Sequence, residues 1–256
     1  MNSINWLGLK TLYFKEVRRF LKVYNQTLVA PMVTALLFLA VFHLAMGDRV
    51  KEIGGVPFPV FMASGLIMMT IIQNAFANTS STLIMGKVIG SIIDYLMPPI
   101  SAIELTVALV AGGITRGIMS GIAVLIAVIF FIPIEVHDFG LLIFYAVFAA
   151  SILALCGILA GIIADSFDQW HAITSYIVTP LAFLSGTFYS IKNLPEFWQN
   201  INSFNPLFYM IDGFRYSMTG HADANIVVGI AVILASNVLL FILVYRLIES
   251  GYRLKT

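Results

Sequence analysis

Six apolar runs limit what this chain can become. They cover 28–46, 58–76, 105–132, 141–163, 172–189 and 226–245. Each is close to or beyond the ~20 residues that carry a helix across a bilayer. Backbone groups in lipid have no water to bond, so runs of this kind fold as helices and not as open strands. Composition agrees, with 60% of residues hydrophobic and 11% charged, against roughly 25% charged in soluble domains. The sequence predicts an all-α integral membrane protein, a single domain over 1–256 with six spans. Cys156 stands alone in an apolar run, which gives no internal disulfide and no metal framework. No small-residue cleavage site follows the first run, so it is expected to stay in the mature chain.

The runs differ in detail. Pro31 falls in the first turn of the first span, where its missing N–H is tolerated. The run 105–132 is too long for one crossing and contains Arg116. A cation at mid-bilayer costs roughly 2.5–3.5 kcal/mol. The cheaper arrangement puts Arg116 at the interface, with 103–115 an interfacial helix, 117–133 the crossing, and Glu104 among headgroups. A buried gating charge is the alternative for Arg116. In the fourth span Gly157 and Gly161 form a small-xxx-small pair that permits close helix approach. Pro180 is expected to bend the fifth span.

Ahead of the first span, 1–24 is amphipathic. At helical spacing Trp6, Leu9, Tyr13, Val17, Phe20 and Tyr24 share one face, and Lys15, Arg18, Arg19 and Lys22 the other. This reads as an interfacial helix with its stripe in acyl chains and its cations toward headgroups. A helix bound to a partner protein is the alternative. Between the second and third spans, 78–101 starts with the polar residues Asn78, Thr79, Ser80, Ser81 and Thr82. It continues as a short helix over 83–96 with Lys87 and Asp94, and stops at Pro98-Pro99. By itself this is an ordinary amphipathic connector.

The most specific stretch is Phe183–Tyr216, FLSGTFYSIKNLPEFWQNINSFNPLFYMIDGFRY. It begins as a membrane segment, breaks at Lys192-Asn193-Leu194-Pro195 and restarts as two short amphipathic helices. Asn193 with Glu196 three residues on has capping-box spacing. Asn205-Pro206 reads as an N-cap followed by Pro at the first helical position. Asp212 and Arg215 are three apart, on one helix face. They form either an exposed pair of little consequence or a partly desolvated pair fixing a cap over 190–223. Aromatic residues alone would indicate only a headgroup-depth belt.

The ordered motif L-S-G-x-F-Y, then L-P, then N-P-L-x-Y-x-I-D-G-F-R-Y before a last span, resembles the signature of type-2 ABC exporter permeases. The resemblance covers the whole chain and is strongest toward permeases near those exporting lipo-oligosaccharides, polysaccharides and drugs. It implies a homodimer of six-span subunits in the bacterial inner membrane, driven by separate ATPase chains that hold ATP and Mg, with no cofactor on this chain. It implies that 78–101 holds the coupling helix, placing Gly86, Lys87, Gly90, Asp94 and Tyr95 at the ATPase. It also makes the segment with Asn205, Pro206, Asp212 and Arg215 an external re-entrant cap. The cargo implied is amphipathic, lipid-linked or a glycolipid, with small hydrophobic drugs as the alternative.

Charge and absent motifs fit that picture. With six spans, Lys10, Lys15, Arg18, Arg19, Lys22, Lys87, Arg246, Arg253 and Lys255 share a side, and Arg49, Lys51, Lys192 and Arg215 the other. The richer side is expected in the cytoplasm, with both termini. No G-x-x-x-x-G-K-[ST] loop, H-E-x-x-H or G-x-S-x-G occurs, and His43, His137, His171 and His221 are scattered. No catalytic set is visible. The acidic residues fall in loops or at span ends, which argues against an ion-coupled carrier or channel.

Overall fold

The computed structural model describes residues 4–46 and 50–254. Arg49 and Lys255, used above in the charge comparison, lie outside the described residues.

Helix α1 (Trp6–Leu21) leads through a π-helical turn (Asn25–Val29) into α2 (Ala30–Met46). A two-residue hairpin, β1 (Glu52–Ile53) with β2 (Val56–Pro57), precedes α3 (Phe58–Ile89). Then come α4 (Ile93–Leu96), α5 (Ala102–Ile129) and α6 (Phe139–Ile163). A broken helical segment follows: α7 (Phe167–Ile173), a π-turn (Thr174–Val178) and α8 (Thr179–Leu184). After a single 3-10 turn (Ile191–Asn193) come α9 (Glu196–Ser203), α10 (Pro206–Thr219) and α11 (Ile226–Ser250).

The core is α3, flanked by α5 and α6. Two rows of glycine let the three backbones approach. A Cβ on Gly117 of α5 would lie 2.6 Å from the Ile71 carbonyl, and one on Gly157 of α6 2.5 Å from that of Phe76. Gly161 repeats this one turn on, against Leu83. In lipid, helices gain nothing by hiding apolar surface, so such close packing and buried hydrogen bonds supply the association. One such bond runs from the Thr79 hydroxyl to the Ala154 carbonyl at 2.7 Å, tying α3 to α6.

Among the described residues, five helical stretches are long and apolar enough to cross a membrane: 25–45, α3, α5, α6 and α11. The expected fifth crossing, 172–189, falls on the broken segment instead. There the π-turn ends where Pro180 enters α8, and a π-turn is one way a helix absorbs the hydrogen bond Pro cannot make.

Three sequence expectations are corrected. First, α5 is one unbroken helix, so Arg116 sits mid-helix and 103–115 is not a separate interfacial piece. Second, 78–82 is not a loop. Asn78, Thr79, Ser80 and Thr82 are buried inside α3, whose 32 residues extend about 48 Å at 1.5 Å per residue, longer than the ~30 Å apolar thickness of a bilayer. The helix expected over 83–96 is the end of α3, a left-handed stop at Gly90 (φ 80°) and the single turn of α4. Third, Asn193 does not cap α9. Pro195 stands at that position, and the capping box is Ser101–Glu104 at the start of α5. Glu104 is therefore occupied: it accepts the backbone N–H groups of Ser101 (2.7 Å) and Asn5 (2.5 Å), which ties the beginning of α1 to α5.

Candidate functional site

Polar and charged side chains collect at the two ends of the bundle and along one groove between them.

At the first end, α1 lies across α3 and α5 and turns Leu12, Glu16 and Phe20 inward. Glu16 has no exposure. A buried carboxylate is tolerable only when its oxygens are occupied, and these are. One accepts Arg19 (2.9 Å) and the Thr82 hydroxyl (2.7 Å), the other the Tyr95 hydroxyl (3.3 Å). Arg19 also donates to the Asn78 carbonyl (2.8 Å) and to Ser81 (3.1 Å), and it contacts Thr82. Burial and the Glu16 carboxylate push the Tyr95 phenol above its usual value. Lys15 places its ammonium 3.7 Å from the centre of the Tyr95 ring. The single turn of α4 is thus held onto α1.

The expected basic face is divided accordingly. Lys15, Arg18 and Lys22 are exposed, whereas Arg19 turns into the protein. The apolar stripe is divided too: Phe20 is buried, while Trp6 and Tyr24 point outward.

The residues assigned to coupling do not form one surface. Gly86 lets the chain fold back, with Ile92 N–H bonded to its carbonyl at 2.9 Å. Gly90 makes the left-handed stop, and Asp94 points outward beside inward-turned Tyr95. Lys87 faces away from them. Its buried ammonium bonds the carbonyls of Ile162 (2.8 Å) and Ala164 (2.7 Å) and lies 3.2 Å from Asp165. A cation on the last carbonyls of α6 satisfies groups a helix end leaves open. Arg253 bonds the Ile163 carbonyl at the same place.

At the opposite end Asn205 caps α10, accepting Leu207 N–H at 3.0 Å and donating to Ser185 at 2.9 Å. Pro206 opens the helix. Asp212 and Arg215 are both buried but are not bonded to each other, which corrects the expected pair. Asp212 accepts the N–H groups of Asp223 (2.9 Å) and Ala224 (2.8 Å). Arg215 donates to the Gly186 carbonyl (2.7 Å) and lies 3.7 Å from the Phe61 ring centre on α3. Asp223, unnoticed in the sequence, links these parts. It accepts Ser190 (2.7 Å) and Ile191 N–H (3.0 Å), with His221 at 3.4 Å and Lys192 at 3.7 Å. A cleft of about 440 Å³ opens beside it, lined by Glu52, Phe58, Tyr189, Lys192 and His221 among others.

Between the ends, Tyr13 of α1 bonds Thr115 of α5 at 3.0 Å, and Ser120 bonds the Thr27 carbonyl at 2.8 Å. Arg116, between them, makes one long bond of 3.4 Å to Asn74 of α3. Glu16 and Asp223 could be suspected from sequence only weakly. Glu16 is a lone acid three residues before Arg19, and Asp223 lies two residues ahead of the Asn225 cap. Among the described residues no group of three His, Cys, Asp or Glu could hold a metal.

The family model for the ABC-2 type transporter matches residues 8–219. The inner membrane transport permease YadH of Escherichia coli K12 is 34% identical over 256 residues, all of both chains. Nodulation protein J of Rhizobium leguminosarum bv. viciae is 24% identical over 237 residues, 90% of this chain and 88% of that protein. That of Neorhizobium galegae is 21% identical over 227 residues, 87% and 84% respectively. With a family match reaching from α1 to the end of α10 and a relative collinear over its full length, this multi-pass helical membrane protein belongs to the ABC-2 type transporter family.

Proposed function

We propose that the chain is the membrane subunit of an ATP-driven exporter in the bacterial inner membrane, working as a homodimer with two separate ATPase chains. The observation that carries this reading is the family match together with the absence of any phosphate-binding loop in the sequence. ATP and Mg are then held by the partner. The broken segment over 172–189 makes the fifth of six crossings, and α9 and α10 form a re-entrant cap on the outer face. Both termini and α4 lie in the cytoplasm, as the loop charges favour. The turn 86–97 meets the ATPase. Because Tyr95 is bonded to Glu16 and Ile92 to Gly86, displacement of α4 is felt by both α1 and α3. The cargo is amphipathic, lipid-linked or a glycolipid.

The test is reconstitution with a separate phosphate-loop ATPase chain from the same organism. Vanadate-sensitive hydrolysis should rise when both chains share one membrane. Hydrolysis indifferent to this chain, with both proteins present and folded, would refute the reading.

A further inference from the structure

A polar side chain in a membrane helix needs a partner, in its own helix, in a neighbouring one or in a ligand. Helix α3 carries such side chains along one line. Thr70, Gln73, Asn74 and Ser81 are half-buried, while Ile71, Ile72, Ala75 and Phe76 beside them are buried in the core. The spacing of three and four residues places the line on a single face. Helix α1 lies across the groove between this face and α5, since Arg19 reaches Asn78 and Tyr13 reaches Thr115. Arg116 stands at the edge of that crossing.

Its guanidinium is under-occupied. Nε is buried without a hydrogen-bond partner, and among the described residues the side chain's one hydrogen bond is the 3.4 Å bond to Asn74. Among the described residues no carboxylate lies within ion-pair distance of it. The charges near enough to act on Arg116 are Arg19 and Glu16. Glu16 is already taken by Arg19, Thr82 and Tyr95. Two cations therefore share one anion, and a planar fork of donors remains open.

We propose that Arg116, with Asn74, binds the phosphate head of an amphiphile. As a statement about cargo this rests on the exporter reading above. The chemistry is shared by a transported phosphate-bearing lipid and a resident phospholipid.

Native mass spectrometry of the full-length protein, released from a neutral detergent, tests the site. Dodecyl phosphate, phosphatidylglycerol, inorganic phosphate and diacylglycerol serve as probes. The two phosphate amphiphiles should form adducts, and Arg116→Gln should weaken them by about tenfold, the worth of a lost charge-assisted fork. Arg116→Lys should retain only the part of the binding that comes from charge, between wild type and Arg116→Gln. Asn74→Asp should weaken it as much as Arg116→Gln, because it gives the guanidinium an internal anion while keeping the arginine. Binding of phosphatidylglycerol alone assigns the site to a two-chain phospholipid, and binding of both assigns it to phosphate amphiphiles generally; either upholds the proposal. Adducts unchanged in Arg116→Gln and Asn74→Asp would overturn it. So would inorganic phosphate or diacylglycerol binding as well as the amphiphiles. No ATPase is required, so failure here leaves the exporter reading standing, and unstimulated hydrolysis leaves a binding result standing.

Discussion

Glu16 offers the sharpest energetic test. Its carboxylate is fully buried and accepts Arg19 at 2.9 Å, Thr82 at 2.7 Å and Tyr95 at 3.3 Å. Glu16→Gln keeps the shape but turns an acceptor into an NH2 group facing donors. Removing one partner of a buried pair costs about 3–5 kcal/mol. The Arg19 side chain keeps 28% exposure and can recover some hydration, which puts the expected loss near the lower end, at about 3 kcal/mol. Arg19→Met removes the cation and strands Glu16, which has no exposure at all, so about 4 kcal/mol is expected. If the two act as one unit, the double variant should recover about 2 kcal/mol of the sum. Tyr95→Phe should cost only ~1 kcal/mol, the net worth of one hydrogen bond to a charged group with a poor distance. Unfolding in mixed micelles, titrated with dodecyl sulfate and followed by tryptophan fluorescence, gives each value. Single losses under about 1 kcal/mol, or additivity within about 0.5 kcal/mol, would refute a shared buried cluster.

Other variants report on neighbouring parts of the fold. Gly157→Ala should cost about 2 kcal/mol, because its Cβ would stand against Thr79 and 2.5 Å from the Phe76 carbonyl; wild-type stability in the same titration would show that α3 and α6 are not in close contact. Gly90→Ala should cost about 1 kcal/mol from its φ of 80° alone, since a Cβ there meets nothing within 4 Å. Faster hydrogen exchange confined to 86–95 is the expected signature, and unchanged exchange would contradict the left-handed stop. Asp212→Asn and Arg215→Gln should each destabilise, and their double variant should give the sum within about 0.5 kcal/mol, since the two bind different backbone groups. Mutual rescue in export or stability would mean a direct pair after all.

Those expectations show where sequence reading succeeds and stops. The apolar runs located α3, α6 and α11, and Asn205-Pro206 located the start of α10, because span length and helix starts depend on residues close in the chain. Asp212 and Arg215 had helical spacing, yet each is satisfied by backbone some distance away, at Asp223 and at Gly186. Asn78–Thr82 looked like a loop for the same reason: its partners arrive from α1 and α6, which no local pattern announces. The capping boxes illustrate competition between local rules. Asn193 and Glu196 had the right spacing, but Pro195 intervenes with a φ that suits the residue just ahead of a helix. Ser101 and Glu104 had the same spacing and no obstacle.

The bond from Thr79 to the Ala154 carbonyl has a consequence for the order in which the protein is made. Its two ends are 75 residues apart, and Asn78 and Thr82 depend on α1, which the ribosome delivers first. At ~5–20 residues per second, α3 leaves the ribosome about 4–15 s before α6 can receive its hydroxyl. The Phe76 carbonyl, 3.3 Å away in the same helix, offers Thr79 a second acceptor, and until α6 arrives the side of α3 that meets Gly157 and Gly161 has no neighbour. A nascent chain halted before 154 should therefore hold α3 beside the insertion machinery, and chains long enough for α6 to clear the ribosome should release it.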